Sequence, residues 1–150
     1  MIEYLIGIAL SLLLSSLVGF ERESQDKSAG LRTTILITLG ATLITIFSLR
    51  LVDITKALEV DFDAIRGIAY YLVAIGFVGG GIIHRSGNKT KELKGITTSA
   101  LLLPMTVIGF FCGIGDYILA TIAAFCIYLI LKLKHVTIKI ETVNKKKRAK

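Results

Sequence analysis

Length, composition and charge together exclude an ordinary soluble domain. The chain has 150 residues, of which 53% are hydrophobic and one is proline, and its mean hydropathy is +0.72. Soluble domains of this size mix polar and apolar residues more evenly, whereas the length fits a single domain. The formal net charge of +7 would attract either nucleic acid or anionic lipid, so the positions of the basic residues decide its meaning.

Five apolar stretches without Asp, Glu, Lys or Arg follow one another through the first 133 residues. Four of them reach the roughly 17 residues that a helix needs to cross about 30 Å of hydrocarbon. The fifth has 15 residues, and we expect Lys132 and Lys134 to extend it by snorkelling toward the headgroups. We therefore predict an all-α membrane protein with five transmembrane helices in a compact bundle. In chain order the stretches are 4–20, 33–49, 67–83, 95–115 and 117–131.

The basic residues cluster on alternate connections, and this predicts the orientation in the membrane. Residues 21–32 hold three Lys or Arg, residues 84–95 hold four, and the segment from Lys132 onward holds eight, which is 15 of the 18 in the chain. The positive-inside rule places these segments in the cytoplasm and the N-terminus outside. The net charge is then a topology signal, with anionic lipid bound at the basic tail, and it does not argue for nucleic acid.

Small residues recur at helical spacing in three of the predicted helices. Gly7, Ser11, Ser15 and Gly19 occupy every fourth position of the first helix. In lipid, such ladders let helix backbones approach each other closely. We predict helix packing at seven glycines: Gly19, Gly76, Gly79, Gly80, Gly81, Gly109 and Gly113.

The second helix carries a stripe of threonines, Thr34, Thr38, Thr42 and Thr45, which lie on one side at about 100° per residue. Threonines in membrane helices bond to backbone carbonyls of their own or a neighbouring helix. Polar groups inside a membrane also line permeation paths. Both interpretations of the stripe stay open.

The two predicted cytoplasmic turns resemble each other, which indicates a weak internal repeat of two helix hairpins. Each runs from a charged segment through a glycine, Gly30 or Gly95, to a pair of hydroxyl residues and into a helix. Both turns bring a helix N-terminus to the cytoplasmic face, and we expect Thr33, Thr97 or Thr98 to cap these ends.

Charged side chains beside these helix starts mark the candidate functional site. Arg32 and the free N–H groups favour an anion such as phosphate or a partner's carboxylate. Glu21 and Glu23 at the mouth of the same turn would instead join an internal network. The network, an anion site and a cation site stay open, and no metal is assigned. The predicted functional turn comprises Glu21, Arg22, Glu23, Gly30, Arg32, Thr33, Thr97 and Thr98.

Four sequence blocks in fixed order form a family pattern over roughly residues 4–131. They are Gly19-Phe20-Glu21-Arg22-Glu23, then Gly30-Leu31-Arg32-Thr33, then Arg66 leading into Ile75-Gly76-Phe77-Val78-Gly79-Gly80-Gly81, and last Gly95-Ile96-Thr97-Thr98-Ser99-Ala100 with Ile108-Gly109 and Gly113-Ile114-Gly115. The combination resembles the membrane domain of the MgtC/SapB family.

The resemblance implies a multi-pass protein of a bacterial or archaeal inner membrane, linked to growth at low magnesium and, in pathogens, to virulence. The resemblance also implies a regulator of other membrane systems, such as ATP synthase or phosphate uptake, more than a magnesium carrier. We therefore expect a non-enzymatic regulator or interaction subunit whose partner is another membrane protein or a second copy. The alternative is a small oligomeric transporter or channel for Mg²⁺, H⁺ or phosphate.

The chain divides into a membrane domain, residues 1–133, and a short basic cytoplasmic tail, residues 134–150. In the tail, polar and apolar residues alternate from His135 to Glu141, which predicts a strand that pairs with another subunit or protein, or else a disordered basic segment along the membrane. Family members related to the virulence proteins carry an ACT-like domain at this point, which we expect to be lacking here. No nucleophile with its base and no Cys/His zinc spacing is present, so we expect no enzymatic activity and no cofactor.

Overall fold

Residues 1–57, 63–85 and 93–148 are described by the structure, a computed structural model. Part of the loop after the second helix, including Val60, and part of the second predicted cytoplasmic turn, including Asn88, lie outside the described residues. The helices are α1 Ile2–Glu23, α2 Leu31–Ala57, α3 Ala64–Ile82, α4 Ile96–Ile114 and α5 Tyr117–Arg148. Two short strands, β1 His84–Arg85 and β2 Leu93–Lys94, pair antiparallel between α3 and α4.

Within the described ranges, four helices are long and apolar enough to cross a membrane: Ile2–Glu23, Leu31–Lys56, Ile65–Ile82 and Ile96–Ile114. α5 adds a shorter apolar segment, Tyr117–Leu133. The predictions of an all-helical fold and of a membrane protein are confirmed. The orientation of the termini and the internal repeat stay predictions.

The two polar turns lie at the same end of the bundle. At this end the Arg22 Nη2 of α1 donates a hydrogen bond to the Thr98 Oγ1 of α4 over 2.8 Å. At the opposite end the Tyr117 hydroxyl donates to the Glu3 carbonyl over 2.7 Å, and the Arg50 guanidinium lies 5.0 Å from the Tyr4 ring centroid. α1 and α4 are therefore antiparallel, and the start of α1 meets the end of α2.

The helix starts differ from the expected caps. α2 begins at Leu31, before Thr33, and the N-cap of α4 is Gly95, without a side-chain cap bond. Gly95 has φ +89°, a conformation that L side chains rarely adopt, and a Cβ there would overlap the Ile82 carbonyl. The turn from β2 into α4 thus needs a glycine at the cap position, which places both Thr97 and Thr98 inside the helix.

The most extensive helix contact in the described chain joins α2 and α4. A Cβ at Gly109 would overlap the Thr38 carbonyl oxygen and lie 2.6 Å from the Ala41 Cβ, and one at Gly113 would lie 2.6 Å from the Thr45 Cβ. Gly19 of α1 lies in the same way against α2, where a Cβ would come 2.8 Å from the Leu31 Cα. Glycine at these positions lets the backbones meet without an intervening side chain.

The threonine stripe of α2 is buried in this contact. All four threonines have no exposed surface. The Thr42 Oγ1 donates to the Thr38 carbonyl over 2.9 Å or to the Gly109 carbonyl over 3.1 Å, and the Thr45 Oγ1 donates to the Ala41 carbonyl over 2.8 Å. The structure thus favours the packing interpretation over a path through a single chain.

α3 lies at the edge of the bundle, and only part of it packs. Ile75 and the Tyr71 hydroxyl, which donates to the Ile37 carbonyl over 3.0 Å, face inward, and a Cβ at Gly79 would lie 2.8 Å from the Ser99 Oγ. The other predicted packing glycines of this helix require a correction. Apart from the local backbone of α3, no atom of the described residues lies within 4 Å of a Cβ at Gly76, Gly80 or Gly81. Those glycines are on the sides of α3 that no other helix of the described chain covers.

The strand prediction for the tail is wrong, because α5 continues as a helix to Arg148. A lone strand leaves its backbone hydrogen-bonding groups unpaired, whereas a helix that extends α5 pairs them internally. The lysines and glutamate of the tail are also good helix formers.

Labelling tests the orientation. In a variant without the native cysteines, Cys112→Ala and Cys126→Ala, a cysteine at the exposed Lys56 should react with a membrane-impermeant maleimide in intact cells. A cysteine at the exposed Ser28 should react only after lysis, since the basic turn is expected in the cytoplasm. Reaction at position 28 in intact cells would reverse the predicted topology.

Substitution of glycines tests the packing. Gly109→Leu should lower the free energy of unfolding by roughly 1–3 kcal/mol or more, because the added side chain meets the α2 backbone. Gly76→Leu is the matched control and should melt like the wild type. The measurement is the folded fraction that survives heating in mild detergent, by size-exclusion chromatography. Equal melting of the two variants would contradict the α2–α4 contact.

Candidate functional site

The site begins with a buried hydrogen bond between α1 and α4. Arg22, in the last turn of α1, is 4% exposed, and Thr98, in the first turn of α4, is 3% exposed. The sequence patterns of the two turns suggested that these residues lie near each other, and the 2.8 Å bond joins them directly. A guanidinium buried at this depth needs such partners, because an unpaired buried charge is costly.

Glu21 lies beside Arg22 in the chain and is also buried, with 7% of its surface exposed. Its Oε1 accepts a hydrogen bond from the Gln25 side chain. Among the described residues, the Glu21 Oε2 and the Arg22 Nε are buried without a hydrogen-bond partner, and no ion pair within 4.0 Å joins the two side chains. Buried charged groups with open hydrogen-bonding positions are the usual places for a water, an ion or a ligand group.

Glu23 closes the N-terminus of α2. Its Oε2 accepts a hydrogen bond from the Leu31 backbone N–H over 2.7 Å. Gly30 leaves room for this carboxylate, since a Cβ there would overlap it. A carboxylate on a helix N-terminus is favoured by the helix dipole, and here it occupies the position that an external anion would take. For α2, the internal network is thus favoured over an anion site.

Arg32 and Thr33 belong to a separate, outward-facing surface. With Glu23 and Gly30 they line an open cavity of about 440 Å³, whose remaining lining residues are Asp26, Lys27 and Ser28. Arg32 is exposed and Thr33 half-buried, and on α4 Thr97 is exposed although Thr98 is buried. The predicted turn therefore divides into a buried part, Glu21 with Arg22 and Thr98, and an exposed part around Arg32.

Sequence reasoning missed Gln25 as a member of the site. Gln25 lies four residues after Glu21, and side chains at this spacing meet on one side of a helix. That signal was present in the sequence, but α1 ends at Glu23, and only the continuing turn keeps Gln25 over Glu21. The described residues contain no group of three or more His, Cys, Asp or Glu that would hold a metal ion.

A pair of threonine variants tests the buried bond. Thr98→Val should lower the free energy of unfolding by about 1.5–3 kcal/mol, because it removes the partner of a buried charged group. Thr97→Val is the matched control at an exposed neighbour and should change stability little. Unfolding in mixed micelles of mild detergent and dodecyl sulfate measures both. An equal loss in both variants would show that the effect comes from the helix start and not from Arg22.

Comparison with known proteins places the chain in a family. A sequence profile of the MgtC family matches residues 8–140. The protein MgtC of Salmonella typhimurium strain LT2 is 32% identical over 136 residues, which cover 88% of this chain and 54% of that protein. Protein SapB of Bacillus subtilis is 30% identical over 116 residues, which cover 77% and 49%. Protein MgtC of Brucella abortus strain 2308 is 34% identical over 108 residues, which cover 72% and 41%.

No solved structure matches the chain. The chain spans about half the length of the curated relatives it matches. Since the profile covers residues 8–140, the family prediction made from the four sequence blocks is confirmed: this chain belongs to the MgtC/SapB family of membrane proteins.

Proposed function

We propose that this chain is a non-enzymatic regulator or interaction subunit of a bacterial or archaeal inner membrane, linked to magnesium or phosphate homeostasis and to adaptation to low magnesium. Membership of the MgtC/SapB family supports this proposal. A regulator without chemistry of its own acts by contact, so it needs a surface for another membrane protein or for a second copy of itself.

The uncovered face of α3 is the observation that carries the proposal. Of the apolar window in α3, 11% is buried in the bundle, against 56% in α4. Gly76 and Gly80 are one helical turn apart and, apart from the local backbone of α3, no atom of the described chain lies within 4 Å of a Cβ at either. Glycines that face only lipid contribute nothing to packing, whereas this spacing is the one that brings a second transmembrane helix close.

Large side chains beside these glycines complete the contact surface. Phe77 is 86% exposed and Val73 71% exposed. A partner helix crossing at Gly76 and Gly80 would bury both side chains along its flanks. The exposed turn around Arg32 is the second proposed contact, where charged groups of a partner's cytoplasmic segment would pair with it.

The second candidate is an oligomeric transporter or channel for Mg²⁺, H⁺ or phosphate. The unpartnered buried atoms of Glu21 and Arg22 favour it, because ionisable groups in membrane helices often belong to ion pathways. Flux separates the candidates. Purified protein in sealed vesicles should move none of these ions if the chain is a regulator, and flux that Glu21→Gln abolishes would replace the regulator with the transporter.

Gly76→Leu tests the interaction surface. The variant should be as abundant and as heat-stable as the wild type, since the position is open, yet it should fail to restore low-magnesium growth to a strain that lacks the gene. We also expect a membrane protein to co-purify with the wild type in mild detergent and to be lost from the variant.

Ala74→Leu is the matched control, because it adds a similar side chain to an exposed position on roughly the opposite side of α3. It should complement fully. Arg32→Gln, on the exposed turn, should reproduce the defect of Gly76→Leu without loss of stability. Full complementation by Gly76→Leu at normal abundance would remove the α3 face from the proposal.

A further inference from the structure

A groove of about 610 Å³ runs between α1 and α5 and lies apart from the α3 face. Its apolar wall comes from Leu13, Leu17 and Phe20 of α1, all exposed, and Tyr128 of α5 lies across from them. Leu13 is eight residues from Glu21, so the groove extends roughly 12 Å along α1 into the membrane. Its length and apolar wall suit the part of an acyl chain that is nearest the headgroup.

The groove becomes polar at the end where the charged turn lies. Glu21, Gln25 and Lys132 line it there. Glu21 is the buried carboxylate whose Oε2 has no hydrogen-bond partner among the described residues. The Lys132 Nζ lies 4.7 Å from the Tyr128 ring centroid, and no ion pair within 4.0 Å connects Lys132 with Glu21 in the described part of the chain.

This places a negative and a positive group at one rim, above an apolar wall. We propose that the groove binds a membrane phospholipid whose headgroup carries a primary ammonium, as in phosphatidylethanolamine. The ammonium donates to the Glu21 carboxylate, the phosphate pairs with Lys132, and one acyl chain lies along Leu13 and Leu17. Gln25 is half-buried, and its side chain shares the Glu21 carboxylate with the ammonium. An ionised carboxylate accepts hydrogen bonds from several donors.

The chemistry selects this headgroup over the other common ones. A choline headgroup has a positive charge but no N–H to donate to a carboxylate. A glycerol headgroup has hydroxyl donors but leaves a net negative lipid beside a buried negative charge. The ammonium of ethanolamine supplies three donors and the compensating charge. The inference does not depend on the regulator proposal, since the groove and the α3 face share no residue.

Native mass spectrometry of the purified full chain in detergent tests the site. The probes are phosphatidylethanolamine, phosphatidylcholine and phosphatidylglycerol with identical oleoyl chains, at equal concentration. The chain should retain about tenfold more phosphatidylethanolamine than phosphatidylcholine, since a charge-assisted hydrogen bond is lost with choline. Glu21→Gln should bring the ratio close to one. Asp26→Asn, the matched control for the removal of one carboxylate charge nearby, should keep the wild-type ratio.

Lys132→Gln keeps the proposal testable if Glu21→Gln fails to fold, because Lys132 is exposed on the surface of α5. This variant should retain less of both phosphatidylethanolamine and phosphatidylcholine, since both carry the phosphate. Equal retention of the two lipids by the wild type would overturn the proposal, as would a ratio that folded Glu21→Gln leaves unchanged. Unchanged retention of both lipids by Lys132→Gln would overturn it as well.

Discussion

The approach of α2 and α4 to backbone contact is the constraint on which the rest of the bundle depends. Gly109 and Gly113 bring α4 so close that a Cβ at either position would collide with α2. This closeness buries the threonines of α2. The Thr42 and Thr45 hydroxyls then bond to carbonyls of their own helix or of α4, whereas the Thr38 hydroxyl has no hydrogen-bond partner among the described residues. In lipid, where apolar side chains gain little by leaving the solvent, close packing and such hydrogen bonds are what hold helices together. Gly19 extends the arrangement to α1, so the end of α1 lies at the start of α4.

That position of α1 explains how a membrane protein holds two buried charged side chains at one turn. Arg22 reaches Thr98 because α1 and α4 run antiparallel past α2. Glu23 occupies the start of α2, so the helix end is neutralised within the chain. At this turn the Glu21 Oε2 and the Arg22 Nε have no hydrogen-bond partner among the described residues, and burial of such groups without partners is unfavourable. The groove toward α5 offers Glu21 a partner from the lipid, and the proposed lipid site follows from this deficit.

The distribution of burial separates the well-packed helices from α3, the helix that we propose contacts a partner. α4 is the most covered of the long apolar helices and α3 the least. The glycine-rich segment of α3 therefore has one packed side and one uncovered side. Gly79 lies against Ser99 of α4, while Gly76, Gly80 and Gly81 face away from the described chain. A helix of this kind suits a protein that works by association, because a partner can dock without disturbing the contact between α2 and α4.

The sequence by itself determined the number and order of the helices, the membrane setting, the family and the turn in which the charged residues cluster. Those features depend on the hydropathy and the order of neighbouring residues, which can be read along the sequence without knowledge of the fold. Only the tertiary structure decided which of the seven glycines touch a neighbour, because helical spacing defines a face but not what covers it. It also decided that Thr98 and not Thr97 meets Arg22, since a turn of about 100° separates a buried position from an exposed one. Two further features depend on how the chain folds back at the helix ends. Gln25 belongs to the buried site because it bonds to Glu21, and Gly95, instead of a threonine, is the N-cap of α4. The tail alternates like a strand, yet it continues α5 because a helix pairs its own backbone without a partner.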